Sequence, residues 1–455
     1  MMQKQQKKNK DQYDFSVHNL RRVDLVNAVK QQQAMQSQDL IILFAGFERG
    51  ATAFRQESSF YYYTGLVEPG SVLVINSDGK ADLYVPNCMQ EREKWMAYEY
   101  QMIQKNAVRF GVATIDTLGD QCYGYQFHPF FAQNEYRNII GLLEKTIAVG
   151  GSIFTLMPDA PTGYVDQRLL LDRLKHFIPS VSERLKDISP IVADLRRRKD
   201  QSEIELIYKA VEVTALAQEA AAQTLGDGVT EAEVQASLEY MFTGSGARPA
   251  FASIVGGGKN STVLHYHDNN GVLKNGDLVV VDIGAELHYY AADITRTYPV
   301  SGAFTKRQKE IYMLVLETQE YIASCARPGM WLSNKDKPDE SLNHLAKKYL
   351  KDHGGYDRYF PHGIGHFLGL DVHDVGDYME PLREGDVITI EPGIYIPEEK
   401  IGIRIEDNYW IVKDGVVCLS EFIPKQIEDI EALVQDTFAE SDDEEDIDDS
   451  SEYDG

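Results

Sequence analysis

Only four cysteines, Cys88, Cys122, Cys325 and Cys418, are spread over 455 residues, and no two form a Cys-x-x-Cys pair. That excludes a disulfide framework and a cysteine zinc cluster, and it fits a reducing compartment. Positive charge is also scarce: 45 Lys and Arg against 71 Asp and Glu give a formal net charge of −26. Such a balance argues against nucleic acid or an anionic membrane as a partner. No run approaches the ~20 apolar residues that a membrane span needs. The basic opening, MMQKQQKKNKDQYDF, has no apolar stretch behind it, so no signal peptide is read. A cytoplasmic protein is expected.

The chain has length enough for two or three domains, and its 43% hydrophobic content supports sizeable cores. Residues 1–15 are polar and read as a disordered start. Residues 16–187 alternate strand and helix signals, as in an α/β domain. Buried strands are expected at Asp39–Ala45 and Thr146–Val149. A hairpin joins Ser71–Ile75 to Ala81–Val85 around Ser77-Asp78-Gly79-Lys80. Helices are expected over Glu91–Asn106 and Asp166–Phe177. No acid, base or ligand cluster converges in this region, so a packing or access-controlling role is expected. Residues 188–199 (ISPIVADLRRRK) read as a linker, 200–435 as a second domain, and 436–455, which lack Lys and Arg, as an acidic disordered tail.

Within 200–435, capping boxes at Ser202/Glu205, Thr230/Glu233 and Thr305/Gln308 open helices, and a fourth helix runs over Ser341–His353. Strands follow each pair, including one at Phe251–Val255. Helix pair, strands, helix pair, strands is a duplicated plan, which predicts two similar halves that face each other.

The chemistry lies in the strands. Leu278–Thr297 reads LVVVDIGAELHYYAADITRT, and Ile388–Ile411 reads ITIEPGIYIPEEKIGIRIEDNYWI. The first places Asp282 and Asp293 about a turn between Leu287 and His288. The second places Glu391 and Glu406 about a turn between Glu398 and Glu399. An ionised carboxylate in an apolar strand needs a compensating cation or hydrogen bonds. Between the hairpins runs FPHGIGHFLGLDVHDVG, with His362, His366 and His373; its glycines are expected to bring backbone close to a metal. Four carboxylates and one imidazole hold too much anionic oxygen for a structural zinc, and they suit manganese or similar ions, bridged in a pair. Two divalent ions about 3.5–4 Å apart hold a hydroxide at neutral pH and polarise a carbonyl, which is amide-hydrolysis machinery. His265 is a further candidate, its neighbour His267 reads as surface, and Arg404 should face the same side as Glu406.

Together, VDIGAELHYYAADITRTYPV, HGIGHFLGLDVHDVG, ITIEPGIYI and GIRIEDNYWIV resemble the proline-specific branch of the pita-bread metallopeptidases, Xaa-Pro aminopeptidase and Xaa-Pro dipeptidase. The resemblance spans about residues 40–432. It implies an α+β chain: a C-terminal pita-bread catalytic domain with pseudo-two-fold duplicated halves, preceded by an α/β creatinase-like N-terminal domain. It also implies two divalent metal ions, usually Mn2+, with a bridging hydroxide as nucleophile. Asp282 would bind one ion, Asp293 and Glu406 would bridge both, and His366 and Glu391 would complete the second ion's shell. Glu391 would also carry a proton from the attacking water to the leaving nitrogen. His265 and His373 would match substrate-contacting histidines, His362 a supporting position, and Arg404 the arginine beside the bridging glutamate. The implied partner is a peptide with proline at its second position, and the implied assembly a homo-oligomer, dimer or tetramer. Xaa-Pro aminopeptidase is the expected activity, and Xaa-Pro dipeptidase the alternative. A non-catalytic binding or chaperone relative is more remote, because such relatives lose ligands and this chain keeps all five.

Overall fold

The computed structural model describes residues 14–50, 52–88, 92–96, 101–122, 126–157 and 165–444, with side chains as far as residue 435. The expected disordered start falls outside these residues up to position 13. Two compact units divide the chain, residues 1–196 and 197–455.

The first unit opens with α1 (Ser16–Gln33) and is built on β1 (Leu40–Phe44), α2 (Ser58–Thr64), β2 (Val72–Asn76), β3 (Ala81–Val85) and β4 (Thr114–Thr117). It continues through α3 (Arg137–Ala148), β5 (Ile153–Thr155), α4 (Val165–Phe177), β6 (Leu185–Asp187) and α5 (Ser189–Arg197). One six-stranded mixed sheet runs β4-β3-β2-β1-β5-β6. Its apolar runs are buried because helices cover them: Ile139, Ile140 and Leu143 of α3 and Leu170 and Leu174 of α4 join Ile42, Val74 and Ile153 in one core. The hairpin around Ser77–Lys80 forms as the turn residues predict, with Gly79 at φ 86°.

Two expectations for this unit are corrected. Thr146–Val149 is no strand: Thr146–Ala148 end α3 and Val149 caps it. The buried positions Ile139, Ile140, Leu143 and Thr146 carry a helical period that a four-residue window hides. In Glu91–Asn106 the described residues form only two short 3₁₀ turns, Arg92–Lys94 and Gln104–Asn106; residues 91 and 97–100 lie outside the description. Residues 188–199, expected as the linker, contain the boundary between the two units and hold a helix, α5.

The second unit has α6 (Gln201–Thr224), α7 (Glu231–Gly244), β7 (Arg248–Pro249), β8 (Ile254–Gly257), β9 (Leu278–Ile283), β10 (Ala285–Leu287), β11 (Tyr290–Ala291) and β12 (Ile294–Pro299). There follow α8 (Lys306–Cys325), α9 (Leu342–Asp352), β13 (Val387–Ile390), β14 (Gly393–Ile396), β15 (Ile401–Arg404), β16 (Asp407–Val412), β17 (Gly415–Cys418) and α10 (Ile427–Glu444). Asp200, not Ser202, caps α6: its side chain accepts from Glu203 N, and the Glu203 side chain accepts from Asp200 N. Asp caps as well as Ser, so a box of the same kind closes two residues earlier. The strand expected at Phe251–Val255 is β8, three residues later. The backbone helix α10 runs into the acidic stretch as far as Glu444, so residues 436–444 are not the disordered start of a tail; residues 445–455 lie outside the description.

The duplicated plan is visible in hydrogen bonds. Gln218 on α6 donates its amide to the carbonyls of Val281 and Ile294, which bridges the two arms of the first hairpin. Gln319 on α8 does the same to Ile390 and Ile405 in the second. Each half is therefore a long helix clasping an interrupted hairpin through one buried glutamine.

The interruptions place the carboxylates. In the first hairpin one register runs from Asp282↔Thr295 through Ile283↔Ile294 to Leu287↔Tyr290, and the ladder breaks at Gly284 opposite Asp293. In the second, one register joins Ile390↔Asp407 to Gly393↔Arg404. Its break falls at Glu391-Pro392 opposite Ile405-Glu406, where Pro392 has no N–H to give. The second turn sits where expected. The first lies one residue later, at His288-Tyr289, both with positive φ (50° and 72°), so Asp282 faces Thr295 instead of Asp293.

Candidate metal centre

All nine residues singled out by the sequence, His265, Asp282, Asp293, His362, His366, His373, Glu391, Arg404 and Glu406, line one cavity of about 520 Å³ in the second unit. His267, read as surface, lines it too, as do Phe251, Ile254, Leu264, Val372 and Tyr378. Ligand atoms of Asp293, His366 and Glu406 all lie within 4.8 Å of one another. His366 Nε2 is 3.3 Å from Asp293 Oδ2 and 3.7 Å from Glu391 Oε1.

His366 is oriented by the backbone around it. Its Nδ1 donates to the Phe367 carbonyl at 3.0 Å, which leaves the Nε2 lone pair facing the carboxylates. The loop is laced to β13: Thr389 N donates to His366 O, Leu368 N to Val387 O and Glu391 N to Ile364 O. Gly365 makes this possible, because a Cβ there would lie 2.0 Å from the Thr389 carbonyl. The glycine expected to approach a metal thus serves a close approach to a strand. Arg197 and Lys199, both in the second unit, secure the far side of the loop. Lys199 and Asp374 form an ion pair at 2.9 Å with both side chains about 1% exposed. Arg197 grips Asp386 with two nitrogens at 2.9 and 2.7 Å, and its guanidinium lies over the Phe367 ring.

Arg404 donates to Asp282 Oδ2 at 2.6 Å, to Tyr395 Oη at 2.8 Å and to Thr295 Oγ1 at 3.2 Å. Tyr395 Oη in turn reaches His362 Nε2 at 3.0 Å, and His362 Nδ1 donates to Gly363 O at 2.8 Å. Thr295 Oγ1 donates to Glu406 Oε2 at 2.7 Å. Tyr395 and Thr295 are site residues that the sequence reading missed; a tyrosine and a threonine in β-strands look like ordinary strand residues. His373 stacks on His366 with ring centroids 4.0 Å apart.

Electrostatics shows what the cluster lacks. Burial pushes the Asp293 carboxyl well above the ordinary carboxylate range, and the charges of Asp282 and Glu391 push it further. Glu406 is raised by burial and then by Asp293 and Glu391, and Glu391 is raised by burial. Burial lowers both His362 and His373 to about 4, with Arg404 and His366 respectively adding to the effect. Among the described residues, no donor reaches the buried oxygens Asp282 Oδ1 and Asp293 Oδ1. Like charges crowded in a low dielectric beside Arg404, with oxygens left bare, are a donor set that fits divalent cations.

Residues 18–120 match the family described as "Aminopeptidase P, N-terminal domain", and residues 205–413 match "Metallopeptidase family M24". An Xaa-Pro aminopeptidase of Haemophilus influenzae is 32% identical over 434 residues, covering 88% of this chain and 94% of that protein. The chain belongs to metallopeptidase family M24. Within the family it stands with the proline-specific pita-bread members. An Xaa-Pro dipeptidase of Pyrococcus furiosus is also 32% identical, over 367 residues, covering 79% of this chain and 90% of that one. The fold of this M24 chain is likewise that of Escherichia coli aminopeptidase P. A glutamate-to-alanine variant of that enzyme in complex with substrate aligns with a TM-score of 0.77 at 28% identity, covering 94% of this chain and 99% of that one. No helix among the described residues is long and apolar enough to cross a membrane.

Proposed function

We propose that this M24 chain is an Xaa-Pro aminopeptidase working with two divalent ions, manganese by preference, held by Asp282, Asp293, His366, Glu391 and Glu406. The observation that carries the reading is a pair of buried oxygens without protein donors among the described residues, Asp282 Oδ1 and Asp293 Oδ1, in the cavity where ligand atoms of Asp293, His366 and Glu406 lie within 4.8 Å of one another. Ions bound there supply an activated water and polarise the scissile carbonyl.

The chain's own groups do the rest. Glu391 takes the proton released by the attacking water and delivers it to the proline nitrogen as that nitrogen leaves. His265 and His373, which both line the cavity, contact the substrate. His362 is neutral at physiological pH, so it accepts from Tyr395 Oη at Nε2. That chain of bonds fixes Tyr395, and Tyr395 fixes Arg404 beside Asp282. A tertiary Xaa-Pro amide has no N–H, so recognition rests on the ring and the free amino terminus rather than on a donor from the scissile bond. Cytoplasmic residence and a dimeric or tetrameric assembly complete the reading, supported by the unpaired cysteines and by the resemblance.

A panel of three substrates tests it, with manganese-loaded protein: Xaa-Pro-Yaa, Xaa-Ala-Yaa and the dipeptide Xaa-Pro. We expect release of the first residue from Xaa-Pro-Yaa, with turnover of Xaa-Ala-Yaa lower by about a hundredfold or more, a discrimination of ~3 kcal/mol. The Pyrococcus furiosus relative favours the alternative of a dipeptidase. Cleavage of the dipeptide alone would establish that alternative, and equal cleavage of the alanine peptide would remove proline specificity altogether.

A further inference from the structure

The segment between β8 and Val272 brings Leu264, His265 and His267 to the cavity, yet it has little structure of its own. Among its residues only Gly258–Thr262 form a 3₁₀ turn, and Val263 is half exposed. Asn269 and Ser261 tie it to neighbouring strands, and the side chain of Glu231, the first residue of α7, joins its two ends to its middle. Glu231 is 1% exposed, and its carboxylate accepts four hydrogen bonds. Oε1 takes Gly257 N at 2.7 Å and Asn260 Nδ2 at 2.9 Å. Oε2 takes Gly271 N at 2.6 Å and Tyr266 Oη at 2.8 Å. Glu231 N also donates to Gly271 O at 3.0 Å. One carboxylate therefore joins both ends of the segment, residues 257 and 271, to its middle at 260 and 266. Tyr266 stands between His265 and His267 in the chain, so the bond to its hydroxyl sets the backbone that carries both histidines. Bonds to an ionised acceptor are about twice as strong as neutral ones, and a carboxylate with four donors has no free acceptor for another use. Glu231 does not line the cavity.

We propose that Glu231 is a positioning residue for the peptidase reaction, holding His265 against the substrate through Tyr266 and the backbone of residues 257–271. The proposal rests on the reading that His265 contacts the substrate. Because Glu231 acts on one wall of the cavity, its loss should weaken turnover without releasing the ions.

The test uses the full chain loaded with manganese and an Xaa-Pro-Yaa substrate, comparing Glu231→Gln, Tyr266→Phe and His265→Ala, alone and combined. Gln turns an NH2 towards two of the four donors. Loss of such a supporting bond typically costs about 10–100-fold, and we expect that drop in kcat for Glu231→Gln with bound manganese unchanged. Tyr266→Phe removes only the hydroxyl, with its bonds to Glu231 and Asn270, and keeps the fold, and we expect a drop of roughly 3–10-fold, below that same range. In the His265→Ala background, Glu231→Gln should add less than about threefold, since groups acting as one unit are not additive. Unchanged kcat in folded Glu231→Gln or in Tyr266→Phe would overturn the proposal. So would a full additional loss in the His265→Ala background, which would mark Glu231 as supporting the fold generally. Normal turnover by His265→Ala alone would remove the role of that histidine, and the positioning role with it.

Discussion

Asp293→Ala is expected to lower turnover of an Xaa-Pro-Yaa peptide by about a thousandfold or more. Losing the proposed bridge would forfeit several kcal/mol of charge stabilisation, and each ~1.4 kcal/mol is tenfold in rate. The same change is expected to raise the Tm of the metal-free protein. Without cations Asp293 is buried, Oδ1 has no donor, and burial together with the charges of Asp282 and Glu391 disfavours its ionised form. Its folded pKa lies above its unfolded value, so the folded chain keeps a proton that the unfolded chain releases. The resulting penalty is absent in acid. It grows as pH rises from the ordinary carboxylate range through the raised folded value, and the advantage of the variant should grow with it. Manganese reverses the order, because an ion that binds only the folded chain stabilises it, and the parent binds more tightly. Paired melting curves over pH, with and without manganese, read both effects. A variant that melts below its parent when metal-free, or that keeps normal turnover, would contradict the assignment.

Gly284→Ala touches no ligand candidate, yet it should be nearly as damaging. A Cβ at Gly284 would lie 1.8 Å from the Ala292 carbonyl, a backbone atom with no rotamer to escape into. Ala292 precedes Asp293, so relief of the clash must move the residue that carries the proposed bridge. Overpacking of this kind costs about 1–3 kcal/mol of stability. A displacement of ~1 Å at a reacting centre costs on the order of a hundredfold in rate. We expect turnover to fall by that factor and manganese to bind more weakly, measured by titration on folded protein. Parent-like kcat and manganese affinity would show that the interruption at Gly284 has no part in placing Asp293.

Much of the site was legible because its chemistry conflicts with its surroundings. An Asp in LVVVDI or a Glu after ITI makes no sense in a buried strand unless something cationic meets it, and three histidines between two such segments narrow the choice. The duplicated halves followed from capping boxes at Thr230 and Thr305. Other features could not be read. The His288-Tyr289 turn has positive φ at two residues that rarely adopt it, where Asn or Gly would have announced it, so the first hairpin was set one residue early. Tyr395, Thr295 and Thr389 act through hydroxyls, and a hydroxyl in a strand carries no signal until its partners are known. Arg197 and Lys199 read as linker charge because their partners, Asp386 and Asp374, are about 175–190 residues away. Glu231 lies between Thr230 and Glu233 of a capping box with nothing in the sequence to set it apart, and its four donors come from a segment that has no periodicity to interpret.

The central claim is that five side chains hold a pair of divalent ions, and metal titration of the full chain tests it most directly. Protein stripped with a chelator and dialysed is titrated with manganese while bound metal and Xaa-Pro-Yaa turnover are followed together. Two ions per chain at saturation are predicted, with turnover absent from the stripped protein and restored as the pair fills. Saturation below one ion per chain, or full turnover after exhaustive chelation, would contradict it.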